Sequence, residues 1–241
     1  MFNYRLDIAY DGREFFGSQI QPQKRTVEGE LRKQLTKLCK FEHLTFSGRT
    51  DSGVHARQQV VSFVSDISNE ERFKYSLESL LPEDINISKL NKTSRSFNAR
   101  YSAKSRTYVY FIKKKSKSLP MDRYTALLLD EDLDLMKLNK VTQHFIGEND
   151  FLNYSKENNR KNTIRKVTQA NWKESNGLYR FAISGESFLW QMVRSIVGSL
   201  LAMNNSQIHE KDIKNYLNQK DLGRIRYVAP PQGLYLWKVQ Y

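Results

Sequence analysis

Residues 4–10 alternate, with Tyr4, Leu6, Ile8 and Tyr10 on one side and Arg5, Asp7 and Ala9 on the other. Period-two alternation of this kind predicts a half-buried strand, ended here by Asp11-Gly12. After a polar loop, Val27, Leu31, Leu35 and Leu38 recur at helical spacing behind Thr26, a residue type suited to an N-cap. A short strand at Leu44–Phe46, a loop from Ser47 to Ala56 and a strand at Val60–Val64 follow. Phe73, Leu77, Leu80 and Leu81 then mark a second helix that stops at Pro82, and Ile85–Leu90 completes the series. The order is β-α-β-β-α-β, a ferredoxin-like pattern.

The rest of the chain repeats that order without repeating its letters. Arg106–Ile112 reads as a strand with Tyr108, Tyr110 and Ile112 on one face. A helix spans about Asp132 to Phe145, and Arg165–Trp172 with Tyr179–Ser184 form a hairpin that turns at Ser175-Asn176-Gly177. Phe188–Met203 is too apolar for a surface helix and is expected to be largely buried. A shorter helix near Ile208–Leu217 precedes a closing strand, Leu234–Tyr241. The expectation is an α+β fold of two tandem ferredoxin-like halves, residues 1–100 and 101–241. Together they would form a mixed, mostly antiparallel sheet with a central cleft, the natural place for a site. The polar run Asn158–Asn162 is expected to be a mobile loop.

Composition narrows the chemistry. The 241 residues carry 39 Lys and Arg against 26 Asp and Glu, a net charge of +13. That excess points to a polyanion such as nucleic acid or to an acidic surface; a solvated basic surface serving solubility is the alternative. No stretch approaches a membrane span, and the first residues have no apolar signal core. The single cysteine, Cys39, excludes an internal disulfide and a cysteine metal cluster, which sets a reducing, cytoplasmic location as the expectation.

Few residues stand out as reactive. HExxH, G-x-S-x-G and paired-cysteine spacings are all missing, and the four histidines are scattered, so chemistry without metal or cofactor is expected. In Ser47-Gly48-Arg49-Thr50-Asp51-Ser52-Gly53-Val54-His55 the glycines are spaced as in a P-loop. Val54-His55 stands where that loop requires Lys-Ser/Thr, which argues against a nucleotide-phosphate cradle. Asp51 on such a turn is either a nucleophile kept ionised by a cation or a cap of its own turn. Phe97–Tyr108 interleaves basic and aromatic side chains, as a surface that neutralises phosphates and stacks bases would, or as an edge strand would. Arg194 is an outlier in an apolar helix, costly there unless it meets an anion or snorkels to water.

Taken together these segments resemble the bacterial tRNA pseudouridine synthase A (TruA) family along essentially the whole chain. The resemblance rests on Tyr10-Asp11-Gly12 with Phe15, Gly17 and Gln19, then on Gly48-Arg49-Thr50-Asp51 and Gly53-Val54-His55-Ala56. It continues through Phe97-Asn98-Ala99-Arg100, Arg106-Thr107-Tyr108 and Gly147–Phe151 to Met192-Val193-Arg194, Ile196-Val197-Gly198 and Gly233–Leu236. It implies isomerisation of uridine to pseudouridine at positions 38–40 of the tRNA anticodon stem-loop. Asp51 would be the nucleophile, Arg194 its ion-pair partner, Arg49 the residue that helps extrude the nucleotide, and Tyr108 the contact to the target base. The resemblance further implies a homodimer acting on tRNA without a cofactor, with neither membrane nor DNA as partner. Lys113–Lys117 and Arg160–Lys166 would hold phosphates. Ser18 and Ser52 depart from the family pattern, which usually has tryptophan and alanine at these two positions.

Overall fold

The computed structural model describes residues 1–156, 162–219 and 222–241. The polar run at 158–161 and the start of the 160–166 basic stretch lie outside the described residues. The chain divides into two compact units, Met1–Lys104 with Tyr235–Tyr241, and Ser105–Leu234.

In the first unit β1 (Phe2–Tyr10), α1 (Val27–Leu38), β2 (Phe41–Phe46), β3 (His55–Ser65), α2 (Glu70–Leu80) and β4 (Ile85–Thr93) follow one another in the expected order. β1 lies between β3 and β4, antiparallel to both, and β2 pairs antiparallel with the far end of β3. Tyr4, Leu6 and Ile8 are fully buried, as are Val27, Leu31, Leu35 and Leu77 of the two helices, which pack on each other. The Thr26 hydroxyl accepts from the Gly29 amide at 3.2 Å, and Glu28 and Glu30 favour the positive end of the α1 dipole.

The polar face of β1 is covered rather than open to water. Arg5 donates twice to Asp7, at 2.7 and 2.8 Å, and Gln58 donates to the same carboxylate at 2.9 Å. Arg5 also lies over the Tyr241 ring, which packs on Phe97. A carboxylate 4% exposed needs these donors, because burying it unpaired would be costly. Alternation alone could not show this second layer, which segments distant in sequence supply.

The second unit holds β5 (Ser105–Lys114), β6 (Leu127–Leu129), α3 (Leu135–Thr142), β7 (Gly147–Asp150), β8 (Ile164–Ser175), β9 (Leu178–Gly185), α4 (Met192–Asn204) and α5 (Glu210–Asn218). β9 is flanked by β5 and β8, antiparallel to each; β7 extends the sheet beyond β8, and β6 runs parallel to β5. α3 begins later than the pattern predicts, at Asp134, whose carboxylate caps the Lys137 amide at 3.0 Å. α4 begins at Met192 rather than Phe188, because Gln191 has φ +63° and breaks the helix before it. Eight of its central residues from Ser195 to Met203 are nonetheless buried.

The closing strand β10 (Leu234–Gln240) has all but its first residue in the first unit. Tyr235 and Leu236 pair in parallel with His55 and Ala56, at the start of β3. The Lys104 amide bonds the Gln240 carbonyl at 2.8 Å, and the Tyr241 hydroxyl bonds that of Ala99 at 2.8 Å.

Candidate active site

Asp51 sits on the loop between β2 and β3, and that loop is held from two directions. From β3, Gln59 accepts from the Ser47 hydroxyl at 2.6 Å and donates to the Gly48 carbonyl at 2.9 Å. From the segment after β1, the Ser18 hydroxyl accepts from the Thr50 amide at 2.9 Å, and the Phe15 carbonyl accepts from the Gly53 amide at 3.3 Å. Two glycines allow this close approach. A Cβ on Gly12 would stand 2.0 Å from the Val54 carbonyl oxygen, and one on Gly17, at φ +91°, 2.7 Å from that of Thr50.

Neutral groups do most of the holding. The Tyr10 hydroxyl shares a 2.8 Å hydrogen bond with that of Thr50. Burial pushes the Tyr10 phenol up to about 12, tempered by hydrogen bonds with Thr50, Gln59 and Ser18, so it keeps its proton at neutral pH. His55 is 3% exposed and stacks on Tyr235 with ring centres 4.6 Å apart. Its Nδ1 lies 3.1 Å from the Gly12 amide nitrogen, which donates to it. Asp11 lies 3.3 Å from the same nitrogen. Burial raises the Asp11 carboxyl, but hydrogen bonds from Arg13 and the nearby His55 outweigh that and hold it below its ordinary value.

The residues singled out in the sequence fall into both units. Asp51, half-buried, and Arg49, exposed, share the loop in the first. Tyr108 and Arg194 lie in the second. Tyr108 is 7% exposed on β5 and meets the Phe188 ring edge-on at 5.2 Å. Arg194 occupies the first turn of α4, and its Nε donates to the Ala229 carbonyl at 2.7 Å. Tyr110 donates to the next carbonyl, Pro230, at 2.8 Å, so β5 and α4 grip the same short segment. Arg194 is thus an anchored, half-buried guanidinium, and the Tyr108–Tyr110 spacing was the sequence signal for the pair on one strand face.

Two basic stretches have partners that the local sequence does not show. In 97–108, Arg100, Tyr101 and Lys104 are exposed, Phe97 packs on Tyr241, and Arg106 is buried and bonded to the Glu186 carbonyl. In the lysine run, Lys113 pairs with Asp122 at 2.6 Å, Lys114 with Asp132 at 2.7 Å and Lys115 with Asp130 at 3.4 Å. The acidic partners lie 9 to 18 residues on, too far for a local reading of charge. Among the described residues, no group of three or more His, Cys, Asp or Glu side chains could hold a metal ion, and no helix is long and apolar enough to cross a membrane.

Fold and loop define a basic α+β protein with one carboxylate on a rigid, strand-flanked mount, an arrangement suited to covalent chemistry on a polyanion. Comparison with known proteins makes this specific. The family described as tRNA pseudouridine synthase matches residues 8–102 and 141–241, which takes in Arg49, Asp51 and Arg194 and leaves out Tyr108. The chain is 39% identical over 238 residues to a tRNA pseudouridine synthase A of Borrelia hermsii, covering 98% of this chain and 97% of that one. It is 36% identical to those of Listeria monocytogenes, over all of both chains, and Bacillus licheniformis, over 98% of each. The chain belongs to the tRNA pseudouridine synthase family: it is an isomerase that converts uridine to pseudouridine in tRNA.

Proposed function

We propose that the target uridines are those at positions 38–40 of the anticodon stem-loop and that Asp51 is the nucleophile. The observation that carries this reading is the mount of Asp51: a lone carboxylate on a loop whose backbone is fixed on both flanks. A target uridine stacked in a stem-loop must first be swung out, at a cost of a few kcal/mol. Arg49, on the same loop and exposed, occupies the vacated space. Tyr108 contacts the extruded uracil, and Arg194 is the ion-pair partner of Asp51.

Asp51 attacks the nucleotide, and the bond from N1 to C1′ breaks. The detached uracil turns, C5 bonds to C1′, the bond to Asp51 breaks and restores its carboxylate, the C5 hydrogen leaves as a proton, and N1 gains one. Atoms balance without an external reagent, so the reading calls for no cofactor. The first unit, with residues 1–100, carries the nucleophile, and the second carries Tyr108 and Arg194. The enzyme acts as a cytoplasmic homodimer on the anticodon stem-loop.

Tritium release from tRNA labelled at C5 of uridine tests the mechanism. Asp51→Ala is expected to lower release by at least about a thousandfold, the scale of losing a covalent nucleophile, with tRNA binding intact. Turnover retained in that variant would remove Asp51 from the mechanism. Mapping pseudouridine in tRNA from cells with and without the gene tests the choice of positions, and sedimentation tests the dimer.

A further inference from the structure

Two hydroxyls lie on the two flanks of Asp51. On one, the Thr50 amide donates to Ser18 Oγ at 2.9 Å, while the Ser18 amide donates to the Thr50 carbonyl at 3.1 Å, so both backbone groups of Thr50 bond one residue. On the other, Ser52 Oγ donates to the Phe15 carbonyl at 3.3 Å, beside the Gly53 amide at the same distance. The Asp51 carbonyl itself accepts from the Val54 amide at 3.1 Å. Residues 15–18 therefore run along the loop and tie down the residue before Asp51 and the residue after it.

We propose that Ser18 and Ser52 are positioning residues, which fix the backbone at Asp51 through their hydroxyls and so set its reach to the substrate. This rests on the reading of Asp51 as nucleophile. The two contributions are unequal for a physical reason. Ser18 is 1% exposed and Thr50 7%, so no water replaces the Ser18 oxygen if it is removed, and the Thr50 amide is left without its acceptor. Ser52 is exposed, and the Phe15 carbonyl keeps the Gly53 amide without it. A nucleophile must stand within about 3.5 Å of the atom it attacks, and small misplacements cost rate rather than affinity. The effect therefore belongs in kcat. These two serines are also the two departures from the family pattern noted in the sequence.

The test is single-turnover tritium release, tRNA binding and amide hydrogen exchange over residues 47–54 in Ser18→Ala, Ser18→Cys and Ser52→Ala. Both Ser18 variants are expected to lose about tenfold in kcat with tRNA affinity within about twofold, and to exchange faster at the Thr50 amide. Ser52→Ala is expected to lose about twofold or less, because its site is wet. Cysteine keeps the shape of serine with a somewhat larger atom but is a weak acceptor, so Ser18→Cys separates accepting the Thr50 N–H from filling space. Full activity in Ser18→Cys would overturn the proposal, and so would a loss confined to tRNA affinity. Failure of the underlying reading is a separate result: Asp51→Ala would then keep turnover, while the Thr50 amide would still exchange faster in both Ser18 variants.

Discussion

The loop at 47–54 and the lysine run at 113–117 are both conspicuous in the sequence, yet the fold uses them in opposite ways. The loop has one carboxylate, beside the exposed Arg49, in a frame of hydroxyls, amides and carbonyls, and the frame fixes the backbone that carries it. The run holds four positive charges, and three of them meet aspartates within the same unit. The stem of the fourth, Lys117, lies against the turn of the β8–β9 hairpin. Charge counted along a chain is therefore not charge offered to a ligand. What a motif can do depends on whether its partners fix it in place or neutralise it.

Substitutions can break this contrast, beginning with the largest effect outside Asp51 itself. Gly12→Ala would push a methyl group against the Val54 carbonyl, a backbone atom that cannot swing aside. We expect it to destabilise the protein by about 3 kcal/mol, read as a lower urea midpoint, and to lower turnover with it. An unchanged midpoint would mean that the loop yields easily and is not a rigid mount.

Asp11→Asn sharpens the picture through pH. Asp11 is more acidic folded than its unfolded value of 3.8, so it adds stability above that value and loses it as pH falls through its lower folded value. Thermal melts of the wild type should decline on acidification over that window, and Asp11→Asn should flatten that part of the decline. An identical acid limb would show that the Arg13 and His55 contacts contribute nothing.

Lys115→Ala should do least. Both members of its pair with Asp130 are well exposed, at 63% and 75%, which makes it the best placed of the three paired lysines to break away to a phosphate. We expect tRNA affinity within about twofold and an unchanged salt dependence. A slope reduced by about one would show that the run does touch phosphate and would end the contrast.

How much could be read in advance follows the same division. The first unit was legible because its strands and helices are amphipathic in the ordinary way, and Thr26 marks a helix start with its own side chain. β7, Gly147–Asp150, escaped because a polar edge strand paired by backbone alone has no alternation to show. β6, three leucines, is too short to tell from a buried turn. The true start of α4 depends on a left-handed Gln191, which no periodicity signals. For the site, Asp51, Arg49, Tyr108 and Arg194 stood out through the family resemblance. The groups that hold the Asp51 loop, Ser18, Tyr10, Gln59 and His55, are common residues whose importance lies in what they meet across 11 to 43 positions of sequence.

The position of β10 has a bearing on how the protein comes into being. It is translated after the entire second unit, yet it completes the sheet that holds the Asp51 loop, beside His55 and Ala56. A nascent chain emerging from the ribosome thus leaves the start of β3, next to the Asp51 loop, without this neighbouring strand until the whole second unit has been made.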